Sequence, residues 1–194
     1  MVAIGDVKGH GVSAGLLVST ASGCLHTTIE TTCSIPEIMR VMNRRINEVK
    51  GHTYMTFCFS IIDMDNPSLT LANAGHFFPY HYQSSSQKLI QWEQIGDLPL
   101  GLSQDYEYTI YTRALNEDDV LVYFSDGLIE GTNNEEQFYG FNRFEDIIGK
   151  MAHLTAHEIR EAILTDFFIH CQEHEQEDDI TLVVIKLDKK KGGQ

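Results

Sequence analysis

The sequence predicts an α+β fold: two helices, a long meander of strands, a helical pair and a closing strand, in an order that does not alternate as βαβ units. Three observations predict it. Ile35, Ile38, Met39, Met42, Ile46 and Val49 recur at three- and four-residue steps, a single apolar helical stripe. Phe57, Phe59 and Ile61 alternate with Thr56, Cys58 and Ser60, the period of a strand. Short, largely apolar runs at residues 2–4, 120–124 and 180–185 read as central strands.

The elements follow in order. Residues 2–7 form a buried strand that enters the glycine-rich turn Lys8-Gly9-His10-Gly11. A helix is expected over 12–28, with Leu16, Leu17 and Leu25 as its bulk; its small residues, Ser13 to Gly15, Ser19 and Ala21 to Gly23, imply that another element packs close. Ser34-Ile35-Pro36-Glu37 has the pattern of a capping box for the second helix, which Gly51 ends. Strands at 54–63 and 69–74 flank the turn Asp65-Asn66-Pro67-Ser68 and form a hairpin. Further strands are expected at 79–83, 88–92, 106–112 and 120–124, with Ser84-Ser85-Ser86 as a turn. Helices fill 144–151 and, after a second capping box at Thr155-Ala156-His157-Glu158, the stretch to His170; residues 180–187 close the chain as a strand.

Length and charge bound the function. At 194 residues the chain suits one domain over 1–188, with the lysine-rich end 189–194 as a disordered basic tail. Fourteen basic against 28 acidic residues give a net charge of −14, which repels phosphate backbones and anionic lipid heads; no nucleic acid and no membrane insertion are expected. The longest apolar runs fall far short of the ~20 residues that span a bilayer. The start lacks the basic residues of an export signal, and Cys24, Cys33, Cys58 and Cys171 lack metal-site spacing. A cytoplasmic protein with reduced thiols is expected.

Three carboxylates occupy unusual places. Asp6 ends the first apolar run, Asp126 follows the run at 120–124, and Asp178 with Asp179 precedes the last one. Singly, each fits a strand-end or turn cap. If the last strand runs antiparallel to the other two, all of them converge at one end, where a divalent cation would relieve their repulsion. An all-oxygen set suits Mg²⁺ or Mn²⁺.

In this context Gly5-Asp6-Val7-Lys8-Gly9-His10-Gly11 resembles the second conserved block of the PPM-type metal-dependent serine/threonine phosphatases, in the bacterial branch of the sporulation stage II E phosphatase and the regulators of alternative sigma factors. Ala72-Asn73-Ala74-Gly75-His76, Leu98-Pro99-Leu100-Gly101-Leu102, Asp119-Val120-Leu121 with Phe124-Ser125-Asp126-Gly127 and Glu130, and Asp178-Asp179-Ile180-Thr181 match further blocks in order. The resemblance implies a four-layer α/β/β/α sandwich of two antiparallel sheets with outer helices, N-terminally truncated because the family's first strand, ending Gly-Gly-Asp, is missing. It implies two Mn²⁺ or Mg²⁺ ions, with Asp6 bridging them, the Val7 carbonyl on one, and Asp126 and Asp178 on the other; Asp179 is a neighbour. Asp6, Asp126 and Asp178 are thus the candidate catalytic residues, supporting in-line attack of a metal-activated water on phosphoserine or phosphothreonine. The implied substrate is a phosphorylated regulator similar to an anti-sigma-factor antagonist, and the implied assembly is a homodimer through the first two helices. Lys8 stands where the eukaryotic branch has a histidine, and that role is not transferred to it or to His10.

Three other readings compete. A catalytically defective signalling module would keep the fold and act by contact. Gly9-His10-Gly11-Val12-Ser13-Ala14 fits a dinucleotide fingerprint, but the second strand it requires is replaced by helical sequence. His170-Cys171-Gln172-Glu173-His174 spells an inverted zinc-protease signature with little chain left for a third ligand.

Overall fold

Ile35, Ile38, Met39, Met42 and Ile46 line one face of helix α2 (Ile35–Glu48), each at most 4% exposed, as the stripe predicts. The computed structural model describes residues 1–49, 54–90, 92, 96–172 and 178–188. Gly51 and the tail 189–194 lie outside the described residues, as do Glu173 and His174 of the zinc-protease-like motif. The described chain divides into two units, Met1–Phe78 with Gln94–Ala114 and Pro79–Glu93 with Leu115–Gln194.

In the first unit, strands β1 (Val2–Val7), β2 (Met55–Asp63) and β3 (Ser68–Ala74), together with β6 (Tyr111–Ala114), form an antiparallel sheet of order β1-β2-β3-β6. The pleat sends Val7, Met55, Phe57, Phe59, Ala72 and Ala74 into one core with α2 and with Leu17 and Ala21 of helix α1 (Val12–Ile29). Fully burying one such aliphatic or aromatic side chain contributes about 1.5–3 kcal/mol, so this face dominates the unit's stability. The opposite face is buried as well, through Ile4, Cys58, Ser60, Leu71 and Asn73, so β2 is two-sided where alternation predicted one polar face.

In the second unit, β4 (Tyr80–Gln83), β5 (Lys88–Ile90), β7 (Val120–Phe124) and β8 (Leu182–Lys186) form an antiparallel sheet of order β5-β4-β7-β8. Every residue of β7 is buried. Helices α4 (Gly140–Met151) and α5 (Ala156–Cys171) pack on each other and on the sheet, with Tyr80, Phe124 and Phe144 in a ring cluster at 4.9–5.7 Å between centroids. Two antiparallel sheets with helices make the α+β class predicted. All four cysteines are free.

Several elements differ from expectation. Ser34 starts α2 without a side-chain cap, its hydroxyl making no capping bond, whereas the Thr155–Glu158 box at α5 is complete. In α1 Leu17 is buried but Leu16 is 64% exposed. The small residues of α1 divide by face: Ala21 is buried in the core with α2 and Ala14 packs against it, as expected, whereas a Cβ on Gly15 or Gly23 would meet nothing within 4 Å among the described residues. By length and composition α1 could also cross a membrane, at a mean hydropathy of 1.2 with 17% of it buried, which a search for unbroken apolar runs passes over. Residues 106–110, expected as strand, are irregular, and a short helix α3 (Asp126–Glu130) was not anticipated.

Candidate functional site

Asp6 lies exposed near the end of β1, paired across the ladder with Thr56 of β2. Its amide N–H donates to Thr56 Oγ1 at 3.1 Å. Gly5 is required beside it, because a Cβ there would collide with the Thr56 carbonyl oxygen. Val7 sends its side chain into the core and pairs with Met55 across the ladder. Beyond it Lys8 lies over the Tyr54 ring at 5.0 Å, and the chain turns through Gly9 (φ 99°), His10 and Gly11 (φ 82°).

The Asn73–His76 turn closes over the same strand pair. Fully buried Asn73 accepts the His76 N–H and donates to the His76 carbonyl, both at 2.8 Å. His76 Nδ1 then lies 2.9 Å from Thr56 Oγ1. Gly75 has φ 70°, and a Cβ on it would meet Pro99 at 2.8 Å, so only glycine serves there. Leu98-Pro99-Leu100-Gly101-Leu102 is fixed from α2: Asn43 accepts the Gly101 N–H at 2.9 Å, and Asn47 donates to the Gly101 carbonyl at 2.7 Å. Burial pushes the Cys58 thiol, two residues beyond Thr56, up to about 12.

In the second unit the end of β7 meets the start of β8. Ser125 donates its hydroxyl to the Asp179 carbonyl at 3.1 Å, accepts the Thr181 N–H at 2.8 Å, and donates its own N–H to the Thr181 carbonyl at 3.0 Å. Asp126 opens α3, and Gly127 lets the Asp178–Asp179 backbone press against it: a Cβ would lie 2.6 Å from the Asp179 oxygen and 3.3 Å from that of Asp178. Asp126 Oδ1 accepts the Gly127 N–H at 3.0 Å and Asp178 Oδ1 accepts the Asp179 N–H at 2.8 Å, which turns each carboxylate about its own loop. Asp178 and Asp179 are exposed and Asp126 is half-buried. Asp126 and Asp178 therefore share one end of this sheet, as the antiparallel closing strand predicts.

Residues 1–188 match the family model described as stage II sporulation protein E (SpoIIE). The chain belongs to that family. Curated relatives include phosphoserine phosphatase RsbU of Bacillus subtilis, 29% identical over 95% of this chain and 55% of its own length, and stage II sporulation protein E of Priestia megaterium, 26% identical over 96% of this chain and 31% of its own. This chain thus spans about half or less of the relatives it matches. Among solved structures, the SiaA-PP2C domain of Pseudomonas aeruginosa superimposes with a TM-score of 0.82 at 22% identity, covering 96% of this chain and 75% of that one. The PP2C domain of SpoIIE from Bacillus subtilis does so at 0.75 and 20% identity, covering 95% of this chain and 53% of that one. The fold is that of the PP2C phosphatases.

For a member of the SpoIIE family, the donor chemistry fits a hard divalent cation. Every candidate donor is a carboxylate or carbonyl oxygen, and Gly5 and Gly127, beside Asp6 and Asp126, let the Thr56 and Asp179 backbone approach closely. Among the described residues neither unit by itself gathers three His, Cys, Asp or Glu side chains for a metal. Asp6 stands in the first unit and Asp126 and Asp178 in the second. Sequence reasoning quoted Asn73, His76, Ser125 and Thr181 inside matching blocks without finding their work, and it passed over Thr56. Their signal was residue type within a block; their partners lie 3 to 56 positions away.

Proposed function

We propose that this domain is a metal-dependent protein serine/threonine phosphatase that hydrolyses phosphoserine or phosphothreonine on a regulatory protein. All four proposed ligands lie within the 188 residues matched to the family, in a chain aligned over 95% of its length with a relative named a phosphoserine phosphatase; that observation carries the reading. Asp6, the Val7 carbonyl, Asp126 and Asp178 would hold two Mn²⁺ or Mg²⁺ ions. When bound, such ions activate water near neutral pH and offset charge on phosphoryl oxygens. The chain's own contribution is positional: Thr56 braces Asp6, and Ser125 and Gly127 press the Asp178–Asp179 turn against the start of α3. Relatives named as phosphatases weigh against the defective-module alternative.

The proposed substrate is a phosphorylated regulator similar to an anti-sigma-factor antagonist, in cytoplasmic signal transduction. A relative solved with RsbU and RsbW domains in one protein supports that class of partner. We also propose a homodimer through α1 and α2, supported by Val12, Leu16 and Val18, which are 52–82% exposed on α1. The test is p-nitrophenyl phosphate and phosphoserine-protein turnover with Mn²⁺, with EDTA, and in Asp126→Asn. EDTA abolishes turnover and Asp126→Asn lowers it by about a hundredfold, roughly 2.7 kcal/mol. Turnover indifferent to both overturns the proposal.

A further inference from the structure

We propose that His76 is a positioning residue for Asp6, acting through the Thr56 hydroxyl; this rests on the reading of Asp6 as a metal ligand. Beyond Val7 the chain runs into Gly9 and Gly11, both at positive φ, where a Cβ would meet nothing within 4 Å among the described residues. The end of β1 is therefore defined by its pairing with β2, and Thr56 is the cross-strand partner of Asp6. Thr56 Oγ1 accepts the Asp6 N–H at 3.1 Å and also stands 3.4 Å from the Asp6 carbonyl.

A hydroxyl has one proton to place. With His76 in its Nε2–H tautomer, Nδ1 at 2.9 Å is the better acceptor for it than the Asp6 carbonyl at 3.4 Å. With the proton on that side, a Thr56 lone pair is aimed at the Asp6 amide. The imidazole is costly to place, which argues that its position matters. Buried Asn73 grips its backbone at two points, and Gly75 adopts φ 70° against Pro99 to deliver it. A turn needing only closure would not require an imidazole at its end. Partners one bond removed from a metal ligand typically govern affinity by 10–100-fold.

The test uses the full chain and Mn²⁺ alone, with free Mn²⁺ read by electron paramagnetic resonance and Asp6 amide exchange read by NMR without metal. His76→Ala and Thr56→Val each weaken Mn²⁺ binding at least about tenfold and speed Asp6 exchange, and the double variant is no worse than the weaker single one. Thr56→Ser, which keeps the hydroxyl, and His76→Asn, whose amide reaches the Nδ1 position, stay within about threefold of wild type. If His76→Ala destabilises the turn, His76→Asn against His76→Gln still decides, because glutamine reaches the Nε2 position instead. Normal Mn²⁺ binding and normal Asp6 exchange in His76→Ala overturn the role given to His76. Coupled exchange in a wild-type chain that binds no Mn²⁺ overturns instead the metal reading on which that role rests.

Discussion

His81 and Asp119 meet in the second unit at 2.8 Å, Nε2 to Oδ2, with neither side chain exposed. Asp119 also accepts the Ser84 N–H on Oδ1 and the Asn116 N–H on Oδ2, both at 2.9 Å, tying the β4–β5 turn to the approach into β7. Removing the carboxylate takes this partner from fully buried His81 and from the part-buried Ser84 and Asn116 N–H groups. Asp119→Ala should therefore cost about 3–5 kcal/mol, read from urea unfolding. Asp119→Asn, which keeps one acceptor oxygen, should cost less. Equal stability of Asp119→Ala and wild type would show that the pair contributes nothing.

Gly127 ties two candidate ligands to one another. A methyl group at this position would sit 2.6 Å from the Asp179 carbonyl oxygen, a backbone atom with little freedom to move. Gly127→Ala should destabilise the chain by about 1–3 kcal/mol, the usual range for overpacking. It should also weaken Mn²⁺ binding, because the Asp178–Asp179 turn must shift. Gly149→Ala, in α4 where a Cβ meets nothing within 4 Å, is the control and should leave Mn²⁺ affinity unchanged. Calorimetric titration of the two variants checks the contrast.

The two helix starts should respond differently to the same loss. Thr155 accepts the Glu158 N–H at 3.3 Å, while the Glu158 carboxylate accepts the Thr155 N–H at 2.9 Å and the Thr155 hydroxyl at 2.8 Å; the two bonds it accepts hold the Glu158 carboxyl below its ordinary range. Ser34 and Thr155 both supply their carbonyl to the first turn, to the Ile38 and Ile159 N–H groups at 2.9 Å, but Ser34 makes no side-chain capping bond. Thr155→Ala should cost about 1 kcal/mol and Ser34→Ala only a few tenths. Thermal melts of the two variants settle the order.

That contrast shows what was legible in the chain. Periodicity located α2 and most strands because it reports which face loses water, and the apolar runs ending at Asp6 and Asp126 marked strand ends directly. Capping depends on a side-chain rotamer, which Ser34-Ile35-Pro36-Glu37 does not encode. Residues 106–110 alternate like a strand, yet Asp97 takes the Thr109 N–H at 2.6 Å and the Tyr106 hydroxyl at 3.0 Å, so a distant carboxylate replaces a ladder partner. Five-residue α3 is too short to show a period. The division of strands between two sheets was equally hidden, since β3 and β4 follow closely in sequence but pair in different ones. Of the site, the carboxylates were legible as residue types, whereas Thr56–His76 and Ser125–Thr181 exist only through long-range pairing.

Asp166 gives the fold an acid-sensitive contact. Arg143 donates to it twice, Nε to Oδ2 at 2.7 Å and Nη2 to Oδ1 at 2.9 Å, and the Tyr139 hydroxyl donates to Oδ2 at 2.9 Å. The guanidinium bonds, with help from Tyr139, hold the Asp166 carboxyl below its ordinary range, while burial and then the bond to Asp166 push the Tyr139 hydroxyl up. A carboxyl with a lower folded than unfolded value binds fewer protons when folded. Its contribution is present above the ordinary aspartate value of ~3.9 and is lost as pH falls through the lower folded value. The pair is partly exposed, at 40% for Arg143 and 26% for Asp166, so solvent screening keeps that contribution modest. Asp166→Asn should melt lower than wild type near neutral pH, and the gap should narrow on acidification below ~pH 3.9 as the wild-type carboxyl is protonated. Melting midpoints of both proteins across that range test it, and a gap that stays constant down to the lowest pH would remove Asp166 as a source of acid sensitivity.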